Sequence, residues 1–304
     1  MKGQPTAIEY KRFAVAPRAE QMAYSREQNP VNYHAMLTKI FNRAVHLSPR
    51  LGRAMIRSWY QMLVVLDRER EISFMNYGYA DIDPSAEELE LSNGENENRF
   101  CIQLYHHVAG AVDLSGKDVV EVGSGRGGGA SYIARHLKPG SMLGIDLSDK
   151  AVDFCNQIYA VDGLSFRQGD AENLPLPDTS VDVVLNLESS HCYGSMDQFL
   201  SEVYRVLRPG GYFLFSDHRD ADKIQLLHKQ LETSGLRQEK ETDITANVVR
   251  ALELDDDRKQ RLIEKKCPKV LRGRMAEFAA MKGTKTYETF RSGYSRYLSF
   301  VLQK

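Results

Sequence analysis

The feature that most constrains the fold is the stretch KDVVEVGSGRGGG at positions 117–129. Its β-branched run of valines ends at a cluster of glycines, and a helix-forming segment, ASYIARHL, follows. This order predicts a buried parallel strand that enters a tight turn and then a helix. The glycines at 123, 125 and 127 permit positive φ angles and let a ligand approach the backbone closely. One acid, Glu121, lies inside the strand, where a phosphate-binding loop would disfavour a negative charge.

Two ligand classes fit a strand, a glycine loop and a helix. Residues 123–128 satisfy the pattern G-x-G-x-x-G, which indicates a dinucleotide. The segment VVEVGSGRG also resembles the E/D-x-G-x-G-x-G motif of the class I S-adenosylmethionine-dependent methyltransferases. That resemblance implies that Glu121 lies near the cationic amino acid end of the cofactor. It also implies that the loop around the cofactor is formed by Gly123, Ser124, Gly125 and Gly127.

The composition argues against several classes of protein. With a formal net charge of −1 and a pI of about 6.7, the chain lacks the basic surface typical of nucleic-acid partners. No stretch approaches the roughly 18 apolar residues of a membrane span, and the N-terminus does not resemble a signal peptide. The 4 cysteines are scattered without the spacing of a metal site. We therefore expect a cytoplasmic protein with free thiols, no stable membrane insertion and no bound metal.

The order of elements after residue 96 indicates an α/β fold. Apolar strands alternate with amphipathic helices, which predicts a parallel sheet whose strands end at one ligand-binding edge. The chain ends in a short helix, a turn and a strand, and the methyltransferases that it resembles place such a strand antiparallel. The predicted fold is a Rossmann-like, seven-stranded, mostly parallel sheet with an antiparallel last strand. A helical N-terminal layer and a helical lid insertion are expected beside it.

Four segments are expected along the chain. Residues 1–95 form a helical N-terminal arm and cap, and residues 96–241 form the cofactor-binding core. Residues 242–283 are charged and helical in pattern and form the lid, and residues 284–304 complete the core. The polar arm is a candidate for contacts in a homo-oligomer. In the cap, the aromatic residues around Gly78 leave two alternatives open, a loop that folds over a pocket or an ordinary turn packed by tyrosines.

The residues after the second and third strands decide between the two cofactors. Asp146 ends the second strand, but dinucleotide enzymes also carry an acid there. The segment GDAENLPLPD, in contrast, is typical of S-adenosylmethionine enzymes, and LRPGG before the fifth strand is another marker of that family. The predicted cofactor is therefore S-adenosyl-L-methionine. By this resemblance Asp146 binds the ribose hydroxyls, and Asp170 and the Ala171 N–H bind adenine. The remaining predicted cofactor contacts are Leu147, Glu172 and Asn186.

A narrower resemblance covers most of residues 72–304. NYGYAD, VVLNLESSHCY and RVLRPGGYF, with the motifs above, are similar to the phthiotriol/phenolphthiotriol dimycocerosate O-methyltransferases. The wider group with E-S-x-H after strand four includes O-methyltransferases of sugars and polyketides and prenyl C-methyltransferases. The resemblance implies an enzyme that methylates a hydroxyl of a lipophilic secondary metabolite, of polyketide or peptide–polyketide type.

His191 is the candidate general base, because it follows strand four at the carboxyl edge and an alcohol acceptor must lose a proton. Asp217, after strand five, is placed to orient the imidazole and to stabilise its charged form. The adjacent His218 is expected to point the opposite way along the strand. Asn186 and Glu188 are two residues apart on the predicted strand four and so share a face. A carboxylate such as Glu188 in an apolar run is either paired or functional.

Four tyrosines are candidates for the acceptor pocket, although ordinary core packing explains each of them as well: Tyr77, Tyr79, Tyr193 and Tyr294. Two functions compete with O-methylation. C-methylation of a prenyl alkene would use Glu188 and the tyrosines to stabilise a carbocation. A catalytically silent subunit that binds the cofactor and scaffolds assembly is the third alternative, and the intact motifs argue against it.

Overall fold

The computed structural model describes residues 72–83, 85–92 and 94–304. Residues 1–71 of the predicted helical N-terminal arm and cap lie outside these ranges. Among the described residues, no helix combines the length and the apolar character that crossing a membrane requires.

A seven-stranded sheet forms the centre of the described chain, with the strand order β3-β2-β1-β4-β5-β7-β6. The first five strands are parallel to their neighbours, and β7 pairs antiparallel with both β5 and β6. This confirms the predicted fold. The strands are β1 (Asp118–Val122), β2 (Ser141–Asp146), β3 (Leu164–Gln168), β4 (Val181–Leu187), β5 (Leu207–Asp220), β6 (Arg237–Asp243) and β7 (Ser295–Gln303).

Helices cover both faces of the sheet. Side chains of α1, α2, α3, α6 and α9 pack in one apolar core, and those of α4 and α5 pack in the other. Ser148, Ser195 and Thr284 cap three of the helices, each accepting a backbone N–H with its side-chain oxygen. The helices are α1 (Arg99–Ala109), α2 (Gly128–His136), α3 (Asp149–Ile158), α4 (Met196–Val206), α5 (Ala221–Thr233), α6 (Thr245–Leu254), α7 (Asp256–Lys266), α8 (Lys269–Phe278) and α9 (Lys285–Arg291).

The centre of the sheet explains why the valine-rich runs are strands. Val119, Val120, Val183 and Val184 are buried on both faces of β1 and β4, as expected for parallel strands between two helical layers. The carboxyl ends of β1, β2, β4 and β5 therefore lie along one edge, which is where ligands bind in this type of fold.

Two strand assignments differ from the sequence-based expectation. β6 was not identified, because its sequence RQEKETD is polar and almost wholly exposed at the edge of the sheet. β5 begins at Leu207, so the segment LRPGG belongs to the strand and not to a stop before it. The register with β4 shifts between Val181 and Val183, and Gly210 has a φ of 80° within this irregular stretch.

Three helices, α6 to α8, occupy most of the segment expected to form the lid, whose first two residues belong to β6 instead. The charged run at 255–261 was expected to form a solvated face. Asp257, Gln260 and Arg261 are exposed, but Asp255 and Lys259 are buried. A small apolar cluster beneath α7 and α8 contains Ile263, Cys267 and Met275.

Candidate active site

The loop after β1 has the predicted left-handed glycines, with φ of 80° at Gly123, 53° at Gly125 and 75° at Gly127. A Cβ at Gly123 would lie 2.4 Å from Ser189 Oγ, and one at Gly127 would lie 2.8 Å from Cys155 Sγ. Both contacts are too short for any side chain, so glycine is needed for conformation and for space.

A cavity, here called the glycine-loop cavity, opens at the carboxyl edge of β1, β2 and β4. Its walls include eight of the eleven predicted cofactor residues: Gly123, Ser124, Gly125, Asp146, Leu147, Asp170, Ala171 and Glu172. Glu121, Gly127 and Asn186 lie outside this lining. Most of the predicted cofactor residues therefore lie in this wall, although they form only part of it.

Asp146 joins the glycine loop to the end of β2. Its Oδ2 accepts a hydrogen bond from the Gly125 N–H at 2.8 Å, and its Oδ1 accepts one from the Ser148 N–H, also at 2.8 Å. Burial raises the pKa of this carboxyl, and the two N–H donors oppose that change. The carboxylate is thus held in one orientation at the cavity wall, with further acceptor capacity on each oxygen.

The segment after β3 forms a second wall. Asp170 Oδ1 accepts the Glu172 N–H at 3.0 Å, which closes a tight turn. Glu172 Oε1 in turn accepts the Gly194 N–H at 2.8 Å. This hydrogen bond ties the wall to the loop after β4, so two separate strand ends are held together around the cavity.

Asn186 supports the cavity from behind. Its Nδ2 donates to Val122 O at 2.8 Å, to Ser189 Oγ at 2.8 Å and to Tyr193 OH at 2.9 Å. Tyr193 lines the glycine-loop cavity, next to the predicted cofactor residues. The side-chain amide of Asn186 therefore fixes the wall without forming part of it.

Three buried side-chain oxygens around the loop have no hydrogen-bond partner among the described residues: Glu121 Oε2, Ser124 Oγ and Asn186 Oδ1. The other Glu121 oxygen accepts the Tyr105 hydroxyl at 2.6 Å. Burial raises the pKa of Glu121 to about 7, although the hydrogen bond from Tyr105 lowers it. Unpartnered buried oxygens are unfavourable unless a ligand or water satisfies them.

The segment 72–77, here called the strap, folds over the cavity. The Gly128 N–H donates to Ser73 O at 3.2 Å, Arg126 Nε donates to Ile72 O at 2.8 Å, and the Tyr77 N–H donates to Glu188 Oε2 at 2.9 Å. Four of its residues line the cavity: Ser73, Phe74, Met75 and Asn76. Of the two alternatives for this part of the cap, the loop over a pocket is confirmed.

Sequence reasoning left the position of the strap open and did not place Tyr105 at the cavity. A signal for both was present in the two glycines that follow Gly127. A Cβ at Gly128 would lie 2.4 Å from Ser73 O, and one at Gly129 would lie 1.9 Å from Tyr105 Cζ. Gly128 and Gly129 therefore leave room for the strap and for the Tyr105 ring, which the ligand-binding motif itself does not require.

His191 and Asp217 meet at the carboxyl edge, as predicted. His191 lies in a short 3₁₀ turn after β4, and its Nδ1 is 2.8 Å from Asp217 Oδ1. The His191 side chain is 28% exposed, whereas Asp217 is fully buried. Burial lowers the pKa of His191, but Cys192 and Asp217 raise it by more, so the imidazole pKa lies well above its ordinary value.

Asp217 also anchors the turn that carries His191. Its Oδ2 accepts Ser190 Oγ at 2.6 Å and the His191 N–H at 2.9 Å, and it lies 3.0 Å from Arg219 Nη1. Burial raises the pKa of Asp217, but the positive charges of His191 and Arg219 outweigh it and hold that pKa well below its usual range. A carboxylate with these donors has little capacity left for a cation. The cluster of His191, Asp217 and His218 has the spacing of metal ligands, but the Arg219 guanidinium makes it unfavourable for one.

His218 points the opposite way along the strand from Asp217, as predicted, but this does not take it away from the site. Its ring centroid is 4.5 Å from that of His191. His218 pairs with Tyr297 on β7 and packs against Phe290, on the sheet face opposite Asp217. The turn that carries His191 lies beyond the edge of the sheet and so reaches both faces. Burial, followed by the charge of His191, lowers the pKa of His218 to about 3, which keeps this ring neutral.

Glu188 lies at the cavity, but not on β4. The strand ends at Leu187, and Glu188 has a φ of 49°, so the argument that it shares a strand face with Asn186 was wrong. Its Oε2 accepts the Tyr77 N–H at 2.9 Å and the Tyr297 hydroxyl at 2.8 Å. Burial raises the pKa of Glu188 to about 7. A non-glycine residue in the left-handed region beside a ligand cavity is typical of functional positions.

The four tyrosines have different surroundings. Tyr77 lies near the catalytic candidates, with its ring 5.7 Å from that of His218. Tyr79 instead stacks on His107 at 4.5 Å, and Tyr294 is 49% exposed. Neither Tyr79 nor Tyr294 lines the glycine-loop cavity. The assignment of these two residues to an acceptor pocket therefore has no support from their positions.

Comparisons with known proteins agree with this geometry. A family model described as a methyltransferase domain matches residues 120–215. A phthiotriol/phenolphthiotriol dimycocerosates methyltransferase of Mycobacterium tuberculosis is 38% identical over 269 residues, which are 87% of this chain and 99% of the relative. A fatty-acid O-methyltransferase of Mycolicibacterium smegmatis is 39% identical over 237 residues, 78% of this chain and 85% of the relative.

Among solved structures, the (4+2)-cyclase SpnF has a TM-score of 0.62 to this chain. The match covers 82% of this chain and 94% of the cyclase, with 19% sequence identity. At this identity the likeness concerns the fold alone.

Proposed function

We propose that this chain, which belongs to the class I S-adenosylmethionine-dependent methyltransferases, methylates a hydroxyl group of a lipophilic, polyketide-type metabolite. Membership of the family rests on the relative that matches 87% of the chain at 38% identity. The relatives act on lipids according to their names, and that class of acceptor is carried to this chain as part of the proposal.

The residues at the glycine-loop cavity fit the cofactor. S-adenosylmethionine supplies an electrophilic methyl group when it is bound. Glu121 Oε2 is buried and has no hydrogen-bond partner among the described residues, so it would be available to accept a hydrogen bond from the cationic amino group of the cofactor. Asp146 would hold the ribose hydroxyls, and the Asp170–Glu172 turn would hold the adenine ring. The strap would cover the bound molecule and exclude water.

The observation that carries the O-methylation proposal is the contact between His191 Nδ1 and Asp217 Oδ1 at 2.8 Å. The Nδ1–H of His191 donates a hydrogen bond to the Asp217 carboxylate, so in the neutral imidazole the proton stays on Nδ1 and Nε2 carries none. The acceptor oxygen would form its bond to the methyl carbon as the carbon–sulfur bond of the sulfonium breaks, which would leave S-adenosylhomocysteine, and the proton of the acceptor O–H would pass to Nε2. The charged imidazolium that results is stabilised by the Asp217 carboxylate.

The raised pKa of His191 has a defined consequence for the pH profile. A base must be unprotonated to act, so kcat/KM should rise with pH as the imidazole loses its proton. Because Asp217 raises the pKa above the ordinary value of about 6.5, this rise should occur above neutral pH.

C-methylation of an alkene is the second candidate, and Glu188 favours it. This carboxyl faces the cavity, has a pKa raised to about 7 and is held by Tyr77 and Tyr297. Such a group can stabilise a carbocation or remove a carbon-bound proton. That reaction needs no alcohol base, so the two candidates depend on different residues.

The test compares His191→Ala with Glu188→Gln, using labelled S-adenosylmethionine and a panel of hydroxylated polyketides. We expect His191→Ala to lower kcat by about 10²–10⁴ and to leave the affinity for S-adenosylhomocysteine nearly unchanged. Glu188→Gln should have the smaller effect on kcat. A His191→Ala enzyme that retains wild-type rates on an alcohol would refute the proposal, and a larger loss in Glu188→Gln would favour C-methylation.

A further inference from the structure

A second cavity lies between the strap and the helices α7 and α8, and we call it the α7–α8 cavity. Its wall is largely apolar and includes Phe74, Met75, Leu262, Ile263, Met275 and Phe278. Methionine side chains are unbranched and adaptable, so they suit a flexible aliphatic ligand. None of the residues assigned to cofactor binding or to proton transfer lines this cavity.

The strap is the shared wall of the two cavities. Phe74, Met75 and Asn76 line both of them. Tyr77, at the end of the strap, lines the α7–α8 cavity and contacts Glu188 of the glycine-loop cavity through its N–H. Only the strap would therefore separate a ligand in the α7–α8 cavity from Glu188.

The wall also carries four basic side chains, Arg126, Arg258, Lys259 and Lys266, and Lys259 has few hydrogen-bond partners among the described residues. Lys259 is 8% exposed, and its Nζ donates to Ala279 O at 3.4 Å, a long hydrogen bond for a group with three donors. The nearby acid, Asp255, is bound by Arg258 through both oxygens at 2.6 Å. Burial lowers the pKa of Lys259, which shows the cost of placing an ammonium here.

We propose that the α7–α8 cavity binds the aliphatic chain of the methyl acceptor and that Lys259 donates a hydrogen bond to an oxygen on that chain. The inference rests on the proposed function, since it concerns the acceptor of the same reaction. A carboxylate, carbonyl or hydroxyl oxygen supplies the acceptor that Lys259 lacks, and the apolar wall takes up the hydrocarbon. Lys259 is thus a specificity residue and takes no part in proton transfer.

The test measures binding without turnover, by calorimetry with decanoate and 1-decanol on the full chain saturated with S-adenosylhomocysteine. Lys259→Met keeps the length of the side chain but removes its charge. We expect it to weaken decanoate binding about 10- to 100-fold, because a charge-assisted hydrogen bond is lost, and to affect 1-decanol less. Lys269→Met, at an exposed position on α8, is the matched control and should leave both affinities unchanged.

Two filling variants test the cavity itself. Met275→Trp and Leu262→Trp should weaken both ligands at least tenfold and leave the affinity for S-adenosylhomocysteine unchanged. Equal decanoate affinities in Lys259→Met and Lys269→Met, or unchanged binding in both filling variants, would overturn the proposal. A lower unfolding temperature in Lys259→Met with unchanged decanoate affinity would also overturn it, since Lys259 would then be structural.

The outcome is separable from that of the proposed function. If His191→Ala retains full turnover while Lys259→Met loses decanoate affinity, the base assignment fails and the chain-binding site stands. If His191→Ala is inactive and Lys259→Met binds decanoate normally, the reverse holds.

Discussion

Asp217→Asn is the substitution for which the structure gives the most specific expectation. The wild-type carboxylate accepts Ser190 Oγ, the His191 N–H and Arg219 on Oδ2, and it accepts His191 Nδ1 and the His218 N–H on Oδ1. An asparagine must place an NH₂ group against one of these two sets. Facing the Oδ2 set, it would oppose three donors. It should therefore turn its NH₂ toward Nδ1 of His191, which can become an acceptor.

That orientation changes the tautomer of His191. With the introduced amide donating to Nδ1, the ring proton moves to Nε2, and the nitrogen proposed to accept the substrate proton is blocked. We expect kcat to fall by about 10²–10⁴, as for the loss of a positioned base. Arg219 keeps a hydrogen-bond acceptor but loses the buried negative charge that neutralises it, so the free energy of unfolding should fall by about 3–5 kcal/mol.

The pH dependence of stability supplies a second measurement. The folded-state pKa of His191 is raised, so its contribution is full below the unfolded value of about 6.5 and is lost as pH rises through the folded value. The folded-state pKa of Asp217 is lowered, so its contribution is present above about 3.9 and is lost as pH falls below that. The difference in unfolding free energy between wild type and Asp217→Asn should therefore be largest between about pH 4 and pH 6.5.

The assays are steady-state turnover across pH and urea unfolding at pH 5 and pH 9. Ser190→Ala is the control, because it removes one donor to Asp217 and keeps the contact with His191. It should lower stability by about 1 kcal/mol and preserve the pH–rate profile. An Asp217→Asn enzyme with the wild-type rate and profile would refute the role of the pair, even if its stability were lower.

Two further substitutions test other parts of the site. Asp146→Ala removes a charged acceptor from the cavity wall, so calorimetry should show S-adenosylhomocysteine affinity reduced by about 10- to 100-fold, and an unchanged affinity would contradict the assignment to the ribose hydroxyls. Glu188→Gln removes a carboxyl whose folded pKa of about 7 exceeds its unfolded value, so wild type should lose stability relative to the variant, by about 3 kcal/mol in total, as pH rises from about 4.5 to about 7. A difference that stays constant with pH in urea unfolding would show that Glu188 is not buried as described.

The parts of the site that follow regular strands could be predicted from the sequence. The valines of β1 predict a buried strand, and the glycines after them predict a tight turn. Asp146 ends β2 and His191 follows β4, whereas Asp217, which was expected after the fifth strand, lies inside β5 because that strand continues to Asp220; all three still lie at one edge of the sheet. Parallel topology alone brings such residues together. The contact between His191 and Asp217 could therefore be expected without knowledge of any side-chain conformation.

The remaining errors occur where the chain leaves regular structure. The alternation of side chains along a strand was extended to Glu188, which lies one residue beyond the end of β4. Its backbone is left-handed, so the alternation does not apply there. The side chain of His218 follows the strand alternation as predicted, and only its proximity to His191 was missed, because the turn carrying His191 reaches around the edge of the sheet. Tyr79 and Tyr294 could not be placed because loop aromatic residues carry no periodic signal, and their partners are set by tertiary packing.

The polar sequence that concealed β6 also protects the protein from self-association. An open sheet leaves one unpaired row of backbone N–H and C=O groups at each end, and such rows can template pairing with another chain. Here the outer strand β6 carries exposed arginine, glutamate and lysine side chains, and exposed residues also predominate on β3 at the other end. Extending the sheet into a second molecule would desolvate these charges, so the edges resist aggregation while the buried strands between them remain strongly apolar.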